Sequence, residues 1–195
     1  MRLFGNNHGT NTDEELMKSI SKGDRAAFDE LYKRYYGQLF GYFLNMLWRD
    51  REKAEDFVHD VFAKIIKQPE LFDTERTFKT WLFSVAANMC KNEYKKQEVR
   101  KGTQNGVEEH RGVSSSHNVL NEVQDVQFRD AFETGMKELD EKHRQIFALR
   151  HLEGLSLKEI AEALEINEGT VKSRLFYATK YLAEKLKVFN PQFNL

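Results

Sequence analysis

The chain has 195 residues and a net charge of −1, with 40% hydrophobic and 31% charged residues. That length holds one medium domain or two small ones, and the balance favours a soluble helical protein over a disordered chain. It excludes a polycation that coats nucleic acid without discrimination. No run approaches the roughly eighteen apolar residues of a membrane span, and the first twelve residues lack a signal-peptide core. Cys90, the single cysteine, excludes internal disulfides and multi-cysteine metal sites, and suits a reducing cytoplasm. With Pro69 and Pro191 the only prolines, long helices are permitted almost everywhere.

In chain order the first block reads as four helices. Thr12 and Glu15 form a capping box ahead of Leu16 and Ile20. Gly23 ends that helix, and Asp24 caps a second, where Phe28, Leu31, Tyr32, Tyr35, Leu39, Phe43 and Met46 keep the helical period. Asp50 opens a third, with Ala54, Phe57, Val58, Val61, Phe62, Ile65 and Ile66 on one face, and Pro69 stops it. After a loop at 68–75 the fourth carries Phe78, Trp81, Leu82, Val85, Ala86 and Met89 inward and runs on to Lys95 and Lys96.

The stretch 102–125 is polar, rich in Gly and Ser and without periodicity, which predicts a flexible linker. The second block is again helical. Phe128, Phe132, Met136 and Leu139 mark one helix, and Asp140 caps another with Ile146, Phe147 and Leu149. Gly154 breaks the chain. Ser156 and Glu159 form a second capping box before Ile160, Ala161 and Leu164, and Asn167 caps a long last helix after the turn at 165–167. No alternating pattern competes, so the fold class is all-α, with two helical domains at 12–97 and 126–188 joined by a linker at 98–125.

Charge is balanced overall but local in detail. The segment 50–60 holds five acids and two bases, while 91–101 and 168–187 each hold five bases and two acids. The most specific constellation is 156–187: a short helix, a three-residue turn and a longer helix, with small Ala161 at the crossing, predict a helix-turn-helix. On the last helix Val171, Leu175, Ala178 and Leu182 must face the core. Gly169, Ser173, Phe176, Tyr177 and Lys180 lie opposite, and Lys172 and Arg174 flank. With Thr170 in the first turn, this face offers the hydrogen-bonding, aromatic and cationic groups that base edges and phosphates call for. A solvated helix of an ordinary bundle would leave Phe176 and Tyr177 outside without reason.

The fourth helix carries a second constellation. Asn88 and Asn92 share a face, beside Lys91, Lys95 and Lys96, with Lys79 near the start and Phe78, Trp81, Phe83 and Tyr94 interleaved. Such groups can bind unpaired bases and their phosphates, although Trp81 falls on the apolar stripe and reads as core. On the third helix Glu55, Asp56, His59 and Asp60 lie between the apolar positions; the helix dipole alone would accommodate acids there. Catalytic chemistry finds no support. Six histidines show no metal-ligand spacing, and neither a phosphate-binding Gly loop nor a nucleophile elbow is present.

Five stretches together resemble the extracytoplasmic-function (ECF) sigma factors of the sigma-70 family: 24–32 (DRAAFDELY), 54–62 (AEDFVHDVF), 78–88 (FKTWLFSVAAN), 157–164 (LKEIAEAL) and 169–175 (GTVKSRL). The resemblance implies a non-enzymatic transcription initiation factor acting in the cytoplasm on core RNA polymerase and promoter DNA, without membrane insertion, cofactor or metal, and controlled by an anti-sigma factor. The first domain would be sigma region 2. Its third helix, through Glu55, Asp56, His59 and Asp60, would dock on the polymerase, and the 68–75 loop and fourth helix, through Lys79, Asn88, Lys91, Asn92, Lys95 and Lys96, would melt and read the minus-10 element. The second would be sigma region 4, reading the minus-35 element through Thr170, Lys172, Ser173, Arg174, Phe176, Tyr177 and Lys180. Three positions depart from the family pattern: Glu165 replaces a usual Gly, Tyr177 a frequent Arg and Asn167 a common Pro. A two-domain regulator that binds only duplex DNA is the alternative, and it has no use for the 50–96 segment.

Overall fold

The computed structural model describes residues 8–72, 76–103 and 121–189. A 3-10 turn, His8–Thr10, precedes four helices: α1 (Asp13–Ile20), α2 (Arg25–Met46), α3 (Arg51–Lys67) and α4 (Phe78–Thr103). Four more follow: α5 (Asn121–Glu138), α6 (Glu141–Phe147), α7 (Leu157–Leu164) and α8 (Glu168–Lys185). No strand occurs among the described residues.

The helix starts obey local chemistry. Thr12 and Ser156 each form the reciprocal capping box with the Glu three residues on. Asp24, Asp50, Asp140 and Asn167 accept from backbone N–H groups of the first turn, satisfying donors that have no intrahelical partner. The end of α2 is less ordinary. Trp48 and Arg49 both take positive φ (52° and 66°), and the Arg49 N–H donates back to the Leu44 carbonyl at 3.0 Å. This is a Schellman closure made without glycine. The Trp48 ring meets Tyr94 edge-on at 5.0 Å, and the Tyr94 hydroxyl donates to the Met46 carbonyl, which pins this turn to α4.

The first domain is a bundle in which α2 contacts α1, α3 and α4. Its buried centre includes Leu31, Leu39, Phe43, Val58, Ile65, Phe78, Leu82 and Ala86. The N-terminal turn is tied down by Arg34, which donates to the Asp13 carboxylate at 2.8 Å and to the carbonyls of Asn11, His8 and Gly9. His8, assigned to no element by sequence, is buried beside the Asp24 cap at 3.1 Å. In the second domain α8 packs on α5, α6 and α7. Gly135 sits where α5 meets α8; a Cβ there would lie 2.9 Å from Leu182 Cδ2, so any larger residue would make the Leu182 side chain shift.

One feature departs from the sequence reading and a second lies beyond it. First, α4 runs to Thr103 and α5 begins at Asn121, so helices enter the 98–125 stretch from both ends; Glu98, Arg100 and Lys101 are good helix formers and carry the helix past Gly102. Positions 104–120 lie outside the described residues. Second, the domains pack together. α4 lies along α7, and Thr80, Ser84 and Ala87 of α4 are buried, as are Ala161 and Ala163 of α7; short side chains let helix axes approach. Thr80 donates to Glu159 at 3.4 Å, Arg76 pairs with Glu162 at 3.3 Å, Gln145 donates to the Tyr42 hydroxyl at 3.3 Å, and Arg49 pairs with Glu133. Phe83 and Tyr94, which the sequence interleaves with the basic face, are accordingly buried.

Leu82→Ala removes a fully buried side chain from this core and should cost about 2–5 kcal/mol of stability by denaturant unfolding. Lys91→Ala, on the exposed side of the same helix, should change it by no more than about 0.5 kcal/mol.

Candidate nucleic-acid interface

The long last helix presents its face as the periodicity predicts. Val171, Ala178 and Leu182 are buried, and Leu175 is half-buried. Lys172, Ser173, Phe176, Tyr177 and Lys180 are exposed, while Thr170 and Arg174 are half-buried. Phe176 and Tyr177 keep 62% and 61% of their surface in solvent, with their rings 5.6 Å apart. Two large aromatics held open beside lysines are unusual for a solvated helix and suited to a base or sugar surface. Thr170 is committed locally: its hydroxyl and N–H both donate to Asn167 Oδ1, at 2.9 and 2.7 Å. These bonds secure the helix N-terminus, where backbone donors favour phosphate. Lys172 has Glu168 at 3.9 Å, a loose pair between exposed groups.

The turn before this helix ends α7 with Glu165 in the left-handed region, φ 54°, and the Ile166 N–H donates to the Ala161 carbonyl at 3.0 Å. A Cβ is strained in that conformation. Beside the helix, an open cleft of about 450 Å³ is lined by Leu139, Asp140, His143, Tyr177, Lys180 and Tyr181. Sequence reasoning gives His143 no role; its ring faces Tyr177 edge-on at 6.4 Å.

On α4 the structure brings together Asn88, Lys91, Asn92, Lys95 and Lys96, all exposed. They form one stripe, because successive helical residues turn by about 100°. Lys79 does not join it. Nine residues before Asn88, it lies half a turn around the helix, half-buried, with its ammonium 6.0 Å from the centre of the Phe83 ring and on the side that the second domain covers. Glu93, between the stripe residues in sequence, turns inward. Burial opposes its charge, yet bonds from Lys53 and Gln97 hold its carboxyl below the usual range, so it joins α4 to α3.

On α3, Asp56, His59 and Asp60 are exposed, and half-buried Glu55 accepts from Arg51 Nε at 3.2 Å. The Arg51 guanidinium also lies 5.3 Å from the Phe40 ring centre. Next to this acidic face runs an aromatic row on α2, of which the sequence periodicity picks out Phe28 and Tyr32 as apolar positions and leaves Tyr36 and Phe40 unassigned. Phe28, Tyr32, Tyr36 and Phe40, four residues apart, are half-exposed with successive rings 5.2–6.1 Å apart. Among the described residues no group of three or more His, Cys, Asp or Glu is placed to hold a metal. No helix there is long and apolar enough to cross a membrane.

The sigma-70 region 2 family pattern matches 31–100, and the sigma-70 region 4 pattern matches 129–182. The ECF RNA polymerase sigma-E factor of Haemophilus influenzae is 30% identical over 187 residues, covering 90% of this chain and 96% of that protein. The chain belongs to the ECF sigma factors. The RNA polymerase sigma-H factor of Pseudomonas aeruginosa is 27% identical over 182 residues, with 90% and 94% covered. Two solved structures share the fold. CnrH, in complex with the cytosolic domain of CnrY, superposes with a TM-score of 0.65 at 21% identity over 90% of this chain and 97% of that one. RpoE, in complex with the anti-sigma factor NepR from Bartonella quintana, does so with 0.66 at 23% identity over 83% and 97%. In this ECF sigma factor the region 2 match therefore runs from within α2 through α3 into α4, and the region 4 match from within α5 through α6 and α7 into α8.

Glu165→Gly relieves the left-handed strain and should raise the stability of the second domain by about 1 kcal/mol in thermal unfolding. Val171→Asp places a charge at a fully buried position and should lose that domain's helical signal by circular dichroism.

Proposed function

We propose that this sigma factor divides promoter recognition among the three exposed surfaces described above, and that it carries no catalysis of its own. The α3 face, Glu55, Asp56, His59 and Asp60, docks on a basic surface of core RNA polymerase. The α4 stripe, Asn88, Lys91, Asn92, Lys95 and Lys96, captures bases of the melted minus-10 element. The α8 face, Thr170, Lys172, Ser173, Arg174, Phe176, Tyr177 and Lys180, reads the minus-35 element in the duplex. Lys79, on the opposite side of α4, is left out of the minus-10 surface. The chain works in the cytoplasm with the polymerase, and an anti-sigma factor is its natural antagonist, as the complexes of CnrH and RpoE suggest.

The observation that carries this reading is the exposure of two amides and three lysines on one side of a helix whose other sides are buried. Amides serve bases better than they serve solvent, and unpaired bases present their hydrogen-bonding edges. Contacts made only with an opened strand offset the cost of unstacking it. Within the duplex, the α8 face supplies donors, acceptors and apolar rings to a major groove.

Two experiments test the division. With core polymerase and a responsive promoter, Asn88→Ala combined with Asn92→Ala should reduce permanganate reactivity of the minus-10 thymines by about tenfold or more, the scale set by one good side chain–base interaction, while duplex engagement persists. Normal opening would move base capture away from this stripe. Separately, Asp56→Lys with Asp60→Lys should abolish co-purification with core polymerase while leaving the circular dichroism unchanged, because both side chains are exposed and the reversal opposes a basic partner. Unchanged co-purification would remove α3 from the interface.

A further inference from the structure

The contact between the two domains buries charge that it does not neutralise. Glu153 lies directly after a π-helical turn, Ala148–Leu152, and before Gly154, whose φ of +75° reverses the chain. Only 6% of its surface reaches solvent, and its Oε2 atom is buried without a hydrogen-bond partner. The titratable groups that face it come from the other domain: Lys79 of α4 and the Tyr42 hydroxyl of α2. Tyr42 is fully buried, and burial holds its phenol neutral. Lys79 is half-buried and its pull on the Glu153 charge is weaker than the opposing effect of burial, so it offsets that charge only in part. Arg144, 4% exposed in the same interface, donates from Nη2 to the Leu139 carbonyl at 3.3 Å and leaves Nε and Nη1 unpartnered. It faces Cys90 and Tyr94 of α4, and the carboxylate that its charge acts on is Glu141 of its own domain.

We propose that Glu153 is a proton-operated latch on the closure of region 4 over α4: its neutral carboxyl favours the closed chain and its carboxylate favours the open one. An ionised carboxylate buried without a full partner loses its hydration and regains little. The neutral acid loses far less. When the domains part, the side chain meets water and either form is tolerated. Burial raises the Glu153 carboxyl to about 7 in the closed chain, from an ordinary 4.5. The stabilisation of the closed form is therefore complete below 4.5 and is lost as the pH rises through about 7. Acidification closes the molecule and neutral to alkaline conditions open it. Closure also holds Arg76 against Glu162 and covers Lys79. That closing silences the factor rests on the proposed promoter reading, whereas the latch itself rests only on the interface.

The test uses the full chain with a donor and an acceptor dye on Lys64→Cys and Ala183→Cys, two exposed positions on α3 and α8, in a Cys90→Ala background. Between pH 6 and pH 8 the ratio of closed to open molecules should fall about tenfold, following the single titration. Glu153→Gln should abolish that dependence and remain as closed at pH 8 as at pH 6. A ratio that does not move with pH, or a Glu153→Gln chain that responds like wild type, would overturn the proposal. Should the variant misfold by circular dichroism, the carbon-13 shift of the Glu153 carboxyl in the unmutated chain decides instead. A midpoint near 7 supports the latch, and one near 4.5 overturns it. None of these readings depends on transcription, so the latch and the promoter assignment fail separately.

Discussion

Helix α4 is buried on two sides at once, and the arrangement of everything else follows from how those two burials differ. One side, with Phe78, Leu82 and Ala86, completes the core of region 2. That contact is apolar, close-packed and expensive to break. The other, with Thr80, Ser84 and Ala87, receives α7 through short and polar side chains. A narrow strip remains, and it holds Asn88, Lys91, Asn92, Lys95 and Lys96 in solvent. The same helix therefore serves as core, as docking rail and as the proposed reader of single-stranded DNA. Its rigidity, secured by the core side, positions the strip.

The second contact combines apolar packing with polar pairs. Arg49–Glu133 and Arg76–Glu162 are partly exposed ion pairs, which contribute little each. Against them stand Glu153 and Arg144, buried with unpartnered atoms, each a cost of closure. The proposed latch requires two arrangements close in free energy. The proposed function needs both. The minus-10 and minus-35 elements are separated by about 25 base pairs, or about 85 Å of duplex. With α7 seated on α4 and α8 packed on α7, the two reading faces are separated by only about two or three helix widths of roughly 10 Å. With the proposed reading faces, the closed chain is too short to touch both elements, and the proposal therefore needs region 4 to leave α4.

Much of each domain was legible from sequence because its determinants are local. Thr12, Asp24, Asp50, Ser156 and Asn167 announce helix starts by chemistry that acts within three residues. The alternation of Val171, Ala178 and Leu182 with Phe176 and Tyr177 sorts α8 by angle alone. What was not legible depends on contacts between distant parts of the chain. Phe83 and Tyr94 look like open aromatics on a basic helix until the rest of the chain covers them. Lys79 belongs to the basic set by composition and is removed from it by angle and by α7. Glu153 reads as an ordinary loop acid beside Gly154; only the π turn before it and the partner domain opposite it make it buried. The left-handed Trp48 and Arg49 carry no glycine signal, since their turn is held by Tyr94, which is remote in sequence.

The dependence of function on α4 being uncovered is open to one direct measurement. A spin-label pair on α3 and α8, read by double electron–electron resonance, reports the separation of the two domains in the free chain and again after core polymerase and promoter DNA are added. The separation should be short in the free chain at pH 6 and should lengthen by tens of ångströms, toward the roughly 85 Å set by the duplex, in a complex that initiates transcription. A transcribing complex in which the free-chain distance persists would contradict it.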